Sequence, residues 1–159
     1  MNTDRQAALR QALGADMVLT DPDAMQRFCR DFPGDIENVA IAVLRPRTTE
    51  EVSQAVKMCR SLGLGIIPQG GNTGLVQGGV PDGQSDVVIL SLERMNNIRQ
   101  VDPDDFSAIV EAGCILLEMK TQLAAQGMFF PLSLGAQGSC RIGGNVSTNA
   151  GGVNVLRYG

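Results

Sequence analysis

The stretch Pro68-Gln-Gly-Gly-Asn-Thr-Gly-Leu-Val-Gln-Gly-Gly79 directly follows a short apolar run, Leu64 to Ile67. Glycine takes positive φ without steric cost and lets main-chain N–H groups approach a ligand, so Gly70, Gly71 and Gly74 are expected to form a concave anion-binding nest. Asn72 and Thr73 are expected to add polar hydrogens. A second stretch, Pro131-Leu-Ser-Leu-Gly-Ala-Gln-Gly-Ser-Cys-Arg-Ile-Gly-Gly-Asn-Val-Ser-Thr-Asn-Ala-Gly-Gly152, is rich in the same residue types. A lone glycine cluster reads as a surface loop. Here Pro68 stiffens the entry, Asn72-Thr73 supplies donors within the turn, and the second stretch repeats the mix. Two such loops suit a long, phosphate-bearing ligand. Charge-assisted hydrogen bonds contribute about 1.5–3 kcal/mol each, so a few bind tightly without a lysine.

Upstream, Thr48-Thr49-Glu50-Glu51 reads as a capping box, with the Thr48 hydroxyl and the Glu51 carboxylate satisfying each other's backbone N–H groups. Val52, Ala55, Val56, Cys59 and Leu62 follow at helical spacing, and Gly63 stops the helix. With strands expected at Ile41–Leu44 and Leu64–Ile67, residues 41–67 form a strand-helix-strand unit that feeds the first loop. A ligand loop at the carboxyl end of a strand is the usual arrangement in α/β sheets. Farther upstream, a helix is expected from Thr3 to Leu13 with Gly14 as its stop. A second, capped by Asp21 with Pro22 at its first position, runs to about Arg30.

Downstream, Asp86–Leu92 reads as a buried strand. Ile98–Asp102 and Ser107–Ala112 read as a hairpin, and Ile115–Gln126 as a helix ended by Gly127. The second glycine stretch is expected to run as a loop almost to Gly159, and downstream sequence is expected to be missing. Glu50-Glu51 reads as a cap pair, Asp102 to Asp105 as a solvated turn, and Arg141 either as a phosphate partner or as a solvated side chain.

The chain has 159 residues, enough for one domain with a small appendage. A net charge of -4 without a basic block argues against a nucleic-acid surface. There are four cysteines, no Cys-x-x-Cys pair and no histidine, so no common zinc site is expected. The cysteines read as reduced core thiols of a cytoplasmic protein. No apolar run approaches the ~18 residues of a membrane span. Gly-x-Gly-x-x-Gly and the Walker Gly-Lys dipeptide are both absent, which sets aside the Rossmann and P-loop solutions.

In order along the chain, Pro68-Gln-Gly-Gly-Asn-Thr-Gly, Leu90-Ser-Leu-Glu-Arg-Met-Asn96, Val110-Glu-Ala-Gly113 and the Pro131–Gly152 stretch resemble successive motifs of the FAD-linked oxidases of the vanillyl-alcohol oxidase and p-cresol methylhydroxylase superfamily. The likeness runs from about Asn38 to Gly159 and points to the branch that holds D-2-hydroxyglutarate dehydrogenase, D-lactate dehydrogenase and the flavin subunit of glycolate oxidase. It implies an α+β, two-subdomain FAD-binding domain of the p-cresol methylhydroxylase type over residues 38–159, incomplete at its C-terminus, preceded by an N-terminal helical extension, residues 1–37.

By the same resemblance Gly70, Gly71, Asn72, Thr73 and Gly74, flanked by Pro68 and Leu75, would hold the pyrophosphate. Pro131, Leu132, Gly135, Gly138, Ser139, Ile142, Gly143, Gly144, Asn145, Thr148, Asn149, Ala150 and Gly152 would line the adenosine and flavin side. Some relatives link the flavin to a histidine in the first loop; Asn72 stands in that region here, so non-covalent FAD is implied. Relatives carry a separate substrate domain whose histidines and basic residues bind and deprotonate a 2-hydroxy acid. No catalytic residue is therefore assigned within this chain, and the implied partners beyond FAD are that acid, through the missing domain, and an electron-acceptor protein. A non-catalytic flavin-binding module and a truncated remnant are the rival readings.

Overall fold

Val43 and Leu44 are neighbours in one strand, yet they lie in different hydrophobic cores, and that alternation organises the first half of the molecule. The computed structural model describes residues 2–83 and 86–158. Its elements are α1 (Asn2–Leu13), β1 (Val18–Leu19), α2 (Pro22–Cys29), β2 (Val43–Leu44), α3 (Thr49–Ser61), β3 (Gly65–Gln69), β4 (Val87–Ser91), β5 (Ile98–Asp102), β6 (Ser107–Val110), α4 (Leu116–Ala124), α5 (Ile142–Ser147) and α6 (Val155–Tyr158).

Four strands form a sheet in the order β1-β2-β4-β3, with β1 antiparallel to β2 and the other pairs parallel. Successive side chains in a strand point to opposite faces. On one face Leu44, Val88 and Leu90 pack with Ala55 and Cys59 of α3 and with Leu9 of α1. On the other, Val43 and Ile89 pack with Met25, Phe28 and Cys29 of α2. A parallel strand covered on both sides reads as an unbroken apolar run, which is why Val87–Leu90 is buried throughout. Burying each such side chain contributes about 1.5–3 kcal/mol. β4 lies between β2 and β3, so the strand-helix-strand unit leaves a gap that the chain fills after the first glycine loop. The N-terminal segment docks on this sheet: Leu9 is 0% exposed, and β1 adds a strand to the edge at β2.

A third core joins α4 to the β5–β6 hairpin and to the segment after α4. Leu116, Met119, Leu123 and Cys140 pack there against Ile98, Val101, Val110, Phe130 and Leu132. Glu111, just past β6, ties the hairpin base: it accepts from the Asn97 N–H and Nδ2 at 2.9 Å and from Arg99 Nη2 at 2.8 Å. The Asn97 N–H first, and then the Arg99 guanidinium, hold this carboxyl below the usual carboxylate range.

Several expected details fall differently. Thr48 Oγ1 does accept the Glu51 N–H at 3.2 Å, but the Glu51 carboxylate takes the N–H of Arg47 at 2.6 Å, so the box closes one residue early. Val56 is 42% exposed, because the α3 stripe that meets the sheet is narrower than its apolar residues. The strand into the first loop is Gly65–Gln69, extended by its pairing with β4. The second glycine stretch is not all loop, since α5 and α6 form within and just beyond it. Gly63, at φ +65, ends the α3 region as expected, its N–H donating to Arg60 O at 3.2 Å. Asp102 Oδ1 accepts from the Asp104 and Asp105 N–H groups at 3.1 Å, making the expected turn.

Candidate cofactor site

The first glycine loop leaves β3 at Gln69, whose side chain fixes the path of the loop. Gln69 is 3% exposed, and its Nε2 donates to Phe28 O at 2.8 Å and to Gly79 O at 2.6 Å. One carboxamide thus ties the loop's start to its end and to the last turn of α2. Asn72 adds a second tie, donating from Nδ2 to Arg30 O at 2.7 Å. One hydrogen of that amide is thus used by the protein, while Asn72 still lines the cavity described below.

The backbone corrects another expectation. Positive φ in this loop belongs to Asn72 at 51° and Gln77 at 62°, not to Gly70, Gly71 or Gly74. The glycines serve approach instead. A Cβ on Gly71 would stand 2.1 Å from Ser139 O, so only glycine lets the first loop touch the second. Beside it, Gly70 faces Gly144, with 3.7 Å from its ideal Cβ to the Gly144 N. Among the described residues, no N–H from Gly70 to Gly74 donates to a backbone carbonyl.

The second stretch is held to the hairpin side. Ile142 and Gly143 donate their N–H groups to Cys114 O at 3.0 Å and to Ala112 O at 2.8 Å as α5 begins. A Cβ on Gly143 would meet the Ala112 Cβ at 2.7 Å, and one on Gly152 would meet Ser133 O at 2.1 Å. Arg141 is half-buried and structural: its Nη1 donates to Gly113 O and, at 3.4 Å, to Glu93 O.

Two cavities result, and the consecutive residues Arg141 and Ile142 line different ones. The first, about 260 Å³, gathers Gly70, Gly71, Asn72, Gly138 and Ser139 with Arg27, Phe28, Gln69, Glu93, Ile115 and Arg141. The second, about 380 Å³, gathers Pro131, Leu132, Ile142, Asn145, Asn149, Ala150 and Gly152 with Phe130, Val146, Asn154, Val155 and Tyr158. Pro68, Thr73, Gly74, Leu75, Gly135, Gly143, Gly144 and Thr148 line neither. Thr148 donates from Oγ1 to Gly144 O at 2.9 Å, and Leu75 is 70% exposed. In the second cavity Asn145 Oδ1 is buried without a hydrogen-bond partner among the described residues, an acceptor awaiting a donor.

The family described as "FAD binding domain" matches residues 40–159. The chain belongs to that family. It is 42% identical over 157 residues to a mitochondrial D-2-hydroxyglutarate dehydrogenase of Danio rerio, covering 99% of this chain and 29% of that protein. To the corresponding protein of Arabidopsis thaliana it is 43% identical over 150 residues, 94% of this chain and 26% of the relative. A putative mitochondrial D-lactate dehydrogenase of Schizosaccharomyces pombe is 41% identical over 140 residues, covering 88% and 26%. The chain thus spans under a third of these relatives. Among solved structures, p-cresol methylhydroxylase with substrate bound superposes with a TM-score of 0.72 at 27% identity, covering 92% of this chain and 28% of that one. An alkyldihydroxyacetonephosphate synthase shares the fold, with a TM-score of 0.84 at 23% identity over 99% of this chain and 31% of that one.

FAD is the cofactor of this family, and the residues present fit it. Backbone amides without a backbone partner, beside the Arg27 and Arg141 guanidiniums in the lining of the first cavity, suit a diphosphate. The largely apolar second cavity, with its buried unpartnered Asn145 oxygen, suits a planar ring that carries N–H groups.

Sequence reasoning missed Arg27, Phe28, Gln69, Glu93 and Ile115 at the first cavity and Phe130, Val146, Asn154, Val155 and Tyr158 at the second. Gln69 carried a signal as a polar residue ending an apolar run, and Glu93 as a member of the Leu90–Asn96 motif. The four cysteines are free and buried, as expected of core thiols. Burial pushes Cys59 up to about 11 and raises Cys29 and Cys114, so these thiols stay protonated at neutral pH. Among the described residues, no helix is long and apolar enough to cross a membrane.

Proposed function

We propose that this chain is the FAD-binding part of a flavin-dependent oxidoreductase that oxidises a D-2-hydroxy acid. The observation that carries the reading is identity above 40%, over nearly all of the chain, to proteins named as D-2-hydroxyglutarate dehydrogenases. When bound, FAD supplies an acceptor for the substrate's hydride. The chain's own part is to hold and orient it. The amides of Gly70 to Gly74, with Gly138 and Ser139, bind the diphosphate; Pro131, Leu132, Ile142, Asn145, Asn149, Ala150 and Gly152 enclose a ring. The remaining residues of the two stretches, Pro68, Leu75, Gly135, Gly143, Gly144 and Thr148, lie outside both linings and support the loops that form them.

The chain has no histidine, which supports a non-covalent cofactor and a base supplied from a substrate domain outside these residues. Residues 38–159 form the FAD-binding domain, and residues 1–37 are its N-terminal extension. An electron-acceptor protein takes the electrons onward. The buried, unpaired thiols support a reducing, cytoplasmic setting.

The test is the visible spectrum of the purified chain and its melting temperature with and without FAD, followed by reduction of an artificial dye with D- and L-2-hydroxyglutarate by the protein that also carries the substrate domain. Bound flavin and turnover of the D-acid support the proposal. Bound flavin without turnover of any D-2-hydroxy acid favours a non-catalytic flavin-binding module, and a cooperative melt indifferent to FAD sinks the site.

A further inference from the structure

One wall of the first cavity carries charges that the amide nest does not need. Glu93 follows β4 by two residues, and its side chain is 13% exposed. Arg27 Nη2 donates to both of its carboxylate oxygens at 2.9 Å. Arg45 Nε lies 2.9 Å from Oε1, as an ion pair off the hydrogen-bond axis. Arg27 projects from α2 with its guanidinium 4.0 Å from the Phe28 ring centroid, and its side chain is 62% exposed. Glu93, Arg27 and Arg141 line the same cavity as Gly70 and Gly71. A carboxylate beside an anion nest repels the anion unless cations offset it, and here two guanidiniums do so. An ion pair with one partner this exposed adds little to stability, so folding alone gives weak reason for it.

We propose that Glu93 and Arg27 form a charge pair that sets how tightly the glycine nest holds a diphosphate, with Glu93 withholding the positive charge of Arg27 and Arg45 from it. The proposal rests on the FAD-binding reading. In this arrangement the carboxylate keeps affinity below what the amides and guanidiniums would reach unopposed. The diphosphate half of the cofactor feels the pair; the ring half, in the other cavity, does not.

The experiment titrates FAD, ADP and riboflavin into the full chain as wild type, Glu93→Gln, Arg27→Gln and the double variant, at low and raised KCl. Glu93→Gln is expected to tighten FAD and ADP about three- to tenfold and to steepen their salt dependence. Arg27→Gln is expected to weaken both by a similar factor, and the double variant to return near wild type. Riboflavin, which has no phosphate, should not change. If Glu93→Gln does not fold, the solvent-facing Arg27→Gln still decides, because it must weaken ADP and spare riboflavin. A Glu93→Gln protein that loses affinity for all three ligands as its melting temperature falls overturns the proposal in favour of a structural role. FAD binding that ignores both substitutions overturns the charge pair alone. A wild type that binds no FAD overturns the cofactor reading with it.

Discussion

Along residues 68–79 the chain forms no helix after Gln69, and the amides of Gly70 to Gly74 find no backbone carbonyl among the described residues. Along 131–152 almost the same residue types fold into α5, and the first amides of that helix are spent on Ala112 and Cys114. The first stretch is a surface of unspent donors held in shape by two side-chain amides. The second is a packed wall at Gly143 and Gly152, where Ala112 and Ser133 stand where a Cβ would go. Similar composition therefore serves different ends: in one place the backbone leaves its amides unpaired beside a cavity, in the other Gly143 and Gly152 press against protein. They meet at Gly71 and Ser139, where neither can yield.

The sharpest way to break this comparison is Gly71→Ala. Its methyl would stand 2.1 Å from Ser139 O, so the loops must part, and FAD affinity is expected to fall by more than about a hundredfold. Gly78→Ala, in open space, should stay within about twofold, and calorimetric titration reads both. Gly152→Ala tests the packed wall; with Ser133 O in the way, it should cost about 2–3 kcal/mol of stability in urea unfolding. Gln69→Ala removes the donor shared by Phe28 O and Gly79 O, for an expected loss of about 2 kcal/mol, with FAD binding weakened because the loop ends separate. At Asn72, where φ is +51°, Ala is expected to cost about 1 kcal/mol more than Gly, because only Gly tolerates that backbone freely. A ligand-facing role for the amide would instead make the two variants equally poor.

The smallest effect concerns acid. The folded-state carboxyl of Glu111 is held below its unfolded range, so its stabilising share is present above the unfolded value and is lost as pH falls through the folded one. Melting temperature should therefore drop on the acid side of about pH 4, and the drop should be shallower in Glu111→Gln, as scanning calorimetry would show.

The elements that sequence alone made legible are those written in local chemistry. Asp21 before Pro22, Thr48 before α3, and Gly14, Gly63 and Gly127 after helices each state their own position, and the run Val87–Leu90 announces a covered strand. The parts that stayed hidden depend on partners far along the chain. Nothing near Gly71 discloses Ser139, and nothing near Gly152 discloses Ser133. β1, two residues long, exists only because Val18 and Leu19 find Leu44 and Val43. The site divided the same way. The glycine stretches were visible as composition, but Arg27 and Glu93, 66 positions apart, become one feature only when α2 covers the sheet.

The buried cysteines, inert in the folded protein, give the molecule a set of internal clocks. Cys59 sits in the core under α3, Cys29 in the one under α2, and Cys140 in the one under α4. Each stays unreactive until its own core opens. Timed alkylation read by mass spectrometry would thus show in which order the three cores come apart. FAD bound between the sheet and the hairpin side should slow Cys29 and Cys140 together, because it joins the parts that guard them.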